Sequence, residues 1–149
     1  MEPLDLTIRP PRGPRETMLG LSFMPRTIDK IRAELPGGNL GEFLNESFGI
    51  SMFMCKRIGV PMEELRAAVR DAKDEAAVEA WLRERIDPAT VEETNRKLES
   101  LTIERLSPED QAMVRERHPA MAQRPELVRF YDIFEVDDAA TFSASVRER

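Results

Sequence analysis

The sequence predicts an all-α protein, a compact single-domain helical bundle of about six to seven short helices with an extended proline- and arginine-rich N-terminal arm. Three observations carry that expectation. Apolar residues recur at i, i+3, i+4 and i+7 from residue 24 onward. No stretch keeps the period-two alternation of a half-buried strand. Helix-start signals, prolines and short capping side chains, recur along the chain.

Residues 1–15 carry prolines at 3, 10, 11 and 14, which remove amide donors and bias their predecessors away from helix, so this arm is read as extended. Pro25 suits the first turn of a helix in which Ile28, Ile31 and Leu35 share a core face, and Pro36-Gly37-Gly38 ends it. Arg26, Asp29, Lys30 and Arg32 leave that helix on its other sides. A second helix through Met52, Phe53, Cys55 and Ile58 ends at Gly59, a residue able to take the left-handed conformation of a helix end. Phe43, Phe48 and Ile50 make this the most apolar region.

Pro61 opens a helix with Leu65, Ala68, Val69 and Ala72 in register. Asp74 caps the next, with Val78, Trp81 and Leu82 inward. Asp87-Pro88 starts a helix whose stripe is Val91, Asn95, Leu98 and Leu101, and Ser107-Pro108 starts another, with Asp110 three residues after the cap. Beyond Pro119 and Pro125, Leu127, Phe130, Tyr131 and Phe134 form an aromatic face, and Asp137 or Asp138 is expected to cap a short terminal helix over residues 139–146. The expected organisation is one domain over residues 1–149, with the arm, a more apolar half (16–86) and an acidic helical half (87–149).

Composition narrows the chemistry. The 149 residues carry 22 Lys and Arg against 28 Asp and Glu, a formal charge of −6. No apolar run approaches the ~20 residues of a membrane span, and the N-terminus lacks the pattern of a secretory signal, so a cytoplasmic protein without membrane association is expected. One cysteine, Cys55, and one histidine, His118, are too few for a structural zinc site and leave a single base for a nucleophilic triad. No glycine-rich phosphate loop is present. The carboxylates of 132–138 lack calcium-loop spacing. Neither metal nor cofactor is expected. Eight methionines are read as core filling, among them Met18, Met24, Met52, Met54 and Met62 near the arm.

Charge is uneven. Residues 8–32 hold six basic residues against Glu16 and Asp29, whereas residues from 61 onward hold 14 basic and 21 acidic. Broad phosphate-neutralising surfaces of nucleic-acid binders need more positive charge than this, so no nucleic acid is expected. A compact arginine cluster suits a small anion, since the guanidinium fork matches a carboxylate or phosphate. Its bland counterpart is a tether, with the arm tied to acidic residues such as Glu135, Asp137 or Asp138.

Arg26 and Lys30, at i and i+4, share a helix face and repel unless an anion lies between them, which makes them the leading ligand pair, with Arg9 and Arg12 of the arm beside them. Asp29, and Glu46 in the following apolar region, are the candidate acid/base carboxylates, because burial can raise such a group toward neutrality. His118, before Pro119, reads as a surface or capping residue.

The stretches Leu4-Asp-Leu-Thr7, Arg9-Pro-Pro-Arg12, Pro14-Arg-Glu16 and Met24-Pro-Arg-Thr-Ile-Asp-Lys30 with Arg32-Ala33 resemble a bacterial family, domain of unknown function 5069. The resemblance is specific over residues 4–33 and looser at Gly59–Glu64, Val78–Trp81 and Phe134–Asp138. It implies that the arginine arm and the Pro-Arg-x-Ile-Asp-Lys helix form one recurring unit, and it implies no activity. Family members resemble a Tyr-His-x-Asn-Cys-Pro pattern where this chain has Glu42-Phe-Leu-Asn-Glu-Ser47, so histidine or cysteine chemistry there does not carry over.

The expected function is binding of a small anionic molecule at a pocket lined by Arg9, Arg12, Arg26 and Lys30, with cofactor-free proton transfer by Asp29 or Glu46 as its catalytic extension. The alternative is a non-enzymatic protein-interaction or regulatory module in which the arginines are tethers. An exposed aromatic stripe would add a homodimer.

Overall fold

The structure, a computed structural model, describes residues 1–45 and 49–147. Seven α-helices are present among them: α1 (Met24–Glu34), α2 (Gly49–Ile58), α3 (Met62–Asp71), α4 (Glu75–Arg83), α5 (Pro88–Ser100), α6 (Pro108–Arg117) and α7 (Phe130–Arg147). None is long and apolar enough to cross a membrane. The all-helical expectation holds, with one small addition. Thr17–Met18 (β1) and Leu21–Ser22 (β2) pair as an antiparallel ribbon, turned by Leu19 and Gly20 at φ 53° and 78°. A turn with both central residues at positive φ matches the twist of the strands it joins.

The predicted start signals act locally as expected. Asp74 accepts from the Ala77 amide at 2.9 Å, Asp87 from the Ala89 amide at 3.0 Å and Ser107 from the Asp110 amide at 3.1 Å, each satisfying an orphan donor of a first turn. Gly59 sits at φ +75° after α2. The C-terminal expectation needs correction: α7 runs unbroken from Phe130 to Arg147, so Asp137 and Asp138 lie mid-helix, where no orphan amide awaits a cap.

The chain divides into two compact units, residues 1–96 and 97–149. In the first, Leu6, Leu21, Met24, Ile28, Ile31, Met54, Leu65, Val69, Val78 and Leu82 build the core, with α3 packed against α1, α2 and α4. The Asn95 side chain of α5 pins the ribbon, accepting from Ser22 N at 2.9 Å and donating to the Gly20 carbonyl at 2.7 Å. Trp81 is half-buried rather than inward, with the Arg85 guanidinium 4.1 Å over its ring.

In the second unit the core is Leu98, Ile103, Met121, Leu127, Tyr131, Ile133 and Phe134, so most of the aromatic face is core. His118 ends α6, its Nδ1 lying 2.9 Å from Asp137 Oδ2.

Candidate functional site

Helix α1 is where sequence and structure diverge most. Its apolar face was expected to be core and Arg26, Asp29 and Lys30 to leave on its other sides, and every residue from Met24 to Ile31 is buried. Arg26 and Thr27 are 0% exposed, Lys30 1% and Asp29 2%. At about 100° per residue, Asp29, Arg26, Lys30 and Thr27 fall in that angular order within an arc of about 160°. The helix is amphipathic, and both faces are covered.

The arm covers part of the polar arc. Pro14 accepts from the Phe23 amide at 2.9 Å and the Arg12 carbonyl from Arg26 Nη1 at 3.3 Å. Arg12 grips Asp29 three ways: its backbone amide donates to Oδ2 at 2.8 Å, Nε to Oδ2 at 3.1 Å and Nη2 to Oδ1 at 3.0 Å. Arg12 Nη2 also donates to Glu75 on α4. Burial works against the guanidinium charge, but hydrogen bonds and the fields of Asp29 and Glu75 outweigh it and hold the Arg12 pKa above its ordinary value. Arg12 therefore ties the arm to α1 and α4 through Asp29 and Glu75, two carboxylates within residues 1–96.

Two further elements meet the arc. Phe43, in the 3₁₀ turn Gly41–Asn45, has its ring centroid 5.6 Å from the Arg26 guanidinium carbon, a cation–π distance. Ser51, in the first turn of α2, lies 2.8 Å from Thr27 through their hydroxyl oxygens and is 1% exposed. Ahead of α1, Phe23 is buried at φ +69°, a region that bulky residues rarely adopt.

Of the predicted residues, Arg12, Arg26 and Asp29 are brought into one hydrogen-bonded group, and Lys30 follows Arg26 one turn along the same arc. Arg9 stands exposed on the arm. Glu46 lies outside the described residues. Phe43, Ser51, Thr27 and Glu75 were not anticipated as members. For Ser51 the available signal was a hydroxyl placed between Ile50 and Met52 in an apolar helix.

Cys55 is buried 3.9 Å from the Met62 sulfur, and burial pushes its thiol up to about 11, which makes it an inert core group. Among the described residues no set of three or more His, Cys, Asp and Glu is arranged to hold a metal ion.

No curated protein is similar enough to match this chain. A family model matches residues 8–140, a span that contains the arm from Ile8, the whole polar arc of α1 and most of α7. The chain thus belongs to the family described as domain of unknown function DUF5069.

Proposed function

We propose that the polar arc of α1 binds a small anionic molecule, held chiefly by Arg26 and Lys30. The observation that supports this is the burial of both cations, at 0% and 1% exposure, one turn apart on a single helix face. Removing an ion from water costs several kcal/mol even after relaxation, and the arm is held to α1 mainly by Arg12 on Asp29, with one hydrogen bond from Arg26 to the Arg12 carbonyl. An anion near Arg26 and Lys30 would offset both the burial of two cations and the repulsion between like charges on one helix face.

In this reading Arg12 positions Asp29, and Arg9 is the exposed cation of the approach. Both Asp29 oxygens accept from Arg12, which supports a fixed negative anchor at the edge of the arc more than a proton carrier. Proton-transfer chemistry would then fall to Glu46 or to the ligand itself. The other reading, a non-enzymatic interaction or regulatory module with the arginines as internal tethers, draws its support from the bridge of Arg12 to Asp29 and Glu75.

Native mass spectrometry of gently purified protein, set against its denatured mass, separates the two. The anion site predicts a non-covalent mass increment, or a thermal shift with at least one member of a small-anion panel, that is lost in Arg26→Gln and Lys30→Gln variants whose circular dichroism is unchanged. A clean mass with no shift across carboxylates and phosphates favours the tether-only module.

A further inference from the structure

Helices α3 and α4 each carry two stripes. One is core: Leu65 and Val69 of α3 and Val78 and Leu82 of α4 are fully buried. The other lines an open groove of about 630 Å³ between the two helices. Its floor is made of small side chains, Ala67 and Ala68 on α3 and Ala77 on α4, and its one bulky group is the half-buried Trp81, a turn beyond Ala77. A surface that sets one large aromatic ring beside a bed of methyl groups has the large-and-small alternation by which facing layers interdigitate.

The charges of the groove are also divided. Its acids belong to α3 and its one cation, Arg85, follows α4. Residues 72–74 join the helices, a connection short enough for antiparallel neighbours. Glu64 in the first turn of α3 and Arg85 just past α4 therefore lie at the same end of the groove, on opposite sides. They do not pair within one chain. Arg85 Nη1 donates to the Trp81 carbonyl at 2.9 Å, with the guanidinium over the Trp81 ring and 3.7 Å from Glu84. Asp71, the other acid, is bridged by Arg70, and Glu64 has no ion pair among the described residues.

A two-fold axis along the groove lays the α3 side of one copy on the α4 side of the other. Acid then meets base at both ends of the relation, and large meets small in the middle, so the surface is its own complement. We infer that this groove is the contact between two copies of the chain, with Trp81 of each seated on the alanines of the other and Glu64 paired with Arg85 across the axis. The inference is independent of the anion reading.

The test is sedimentation velocity of the full chain across the micromolar range, with native mass spectrometry of the same samples. Trp81 is the one tryptophan of the sequence, so its emission reports on the groove alone. The expected result is a species of twice the 17.0 kDa chain mass, with Trp81 emission moving to shorter wavelength and losing its quenching by acrylamide as that species forms. Glu64→Arg or Arg85→Glu alone weakens association about tenfold, because the symmetry breaks the pair twice. An equimolar mixture of the two variants recovers it as a heterodimer, in which both pairs are again opposite in charge. Both positions are exposed, so the variants keep the fold, which circular dichroism checks. A chain that stays monomeric throughout overturns the inference, whether or not a small molecule adds to its mass. A dimer that neither reversal weakens, or single variants that stay apart when mixed, also overturns it.

Discussion

Arg12→Ala is the substitution whose effect the structure fixes best. The Asp29 side chain is 3% exposed and that of Arg12 29%, so the variant leaves a buried carboxylate with only the 2.8 Å backbone donor of residue 12. Breaking a fully buried pair costs about 3–5 kcal/mol, and the partial exposure of Arg12 places the expectation at the lower end, about 3 kcal/mol. In a chain of this size that corresponds to a fall in Tm of roughly 6–12 °C. Glu75→Ala removes the other end of the bridge, but its side chain is 39% exposed, and exposed pairs contribute about 0–1 kcal/mol. Arg12→Lys should rescue little, because an ammonium cannot present two parallel donors to Oδ1 and Oδ2. Urea denaturation followed by circular dichroism reads all three variants on one scale. Equal midpoints for Arg12→Ala and Glu75→Ala would refute the view that Asp29 depends on Arg12.

Three more outcomes are expected. Because the Cys55 thiol is raised from 9.0 to about 11 on folding, the native state binds more protons than the unfolded chain between those values, and stability falls as pH rises through that window, by up to about 3 kcal/mol. Denaturation at pH 8.5 and 11 should show a smaller loss in Cys55→Ala than in the wild type. Gly38→Ala should destabilise more than Gly59→Ala in thermal melts: a Cβ at 38 would stand 2.6 Å from the Ala33 carbonyl oxygen, whereas one at 59 meets nothing within 4 Å and costs only the strain of φ +75°, about 1–2 kcal/mol. Asn95→Ala should cost about 1–3 kcal/mol in the same melts by taking away the partner of the Gly20 carbonyl and one partner of the Ser22 amide, and Asn95→Asp should not restore the wild-type Tm, since a carboxylate cannot donate to Gly20.

What could be read in the sequence was what neighbouring residues decide. Caps at Asp74, Asp87 and Ser107 and the helix end at Gly59 depend on a few adjacent groups, and the structure has them where the residues indicated. Asp137 and Asp138 misled for the same local reason: a capping residue acts only where amides lack partners, and the turn from Phe130 had already supplied them. The ribbon escaped notice because each strand is two residues long and its turn places Leu19, a poor candidate for positive φ, at 53°.

The site was legible in composition and not in environment. Arg12, Arg26, Asp29 and Lys30 stood out as a charged cluster, but their burial is imposed from elsewhere: by the arm, by Phe43 and by Ser51. A helical wheel shows which side chains share a face and carries no information on what will cover it. Ser51 and Glu75 joined the group only through contacts 24 and 63 residues apart in the chain.

Those separations also order events in time. The arm is made before its partners: Arg12 cannot complete its grip until Asp29, 17 residues later, and Glu75, 63 residues later, have been made and placed. Until then the polar arc of α1 is bathed in water, and its charged side chains are no obstacle to forming the helix itself. Dehydration of Arg26 requires the arm and Phe43 to be in place as well as the helix itself. A nascent chain that has not yet reached Glu75 lacks one end of that bridge, and the contact that completes it joins segments 63 residues apart.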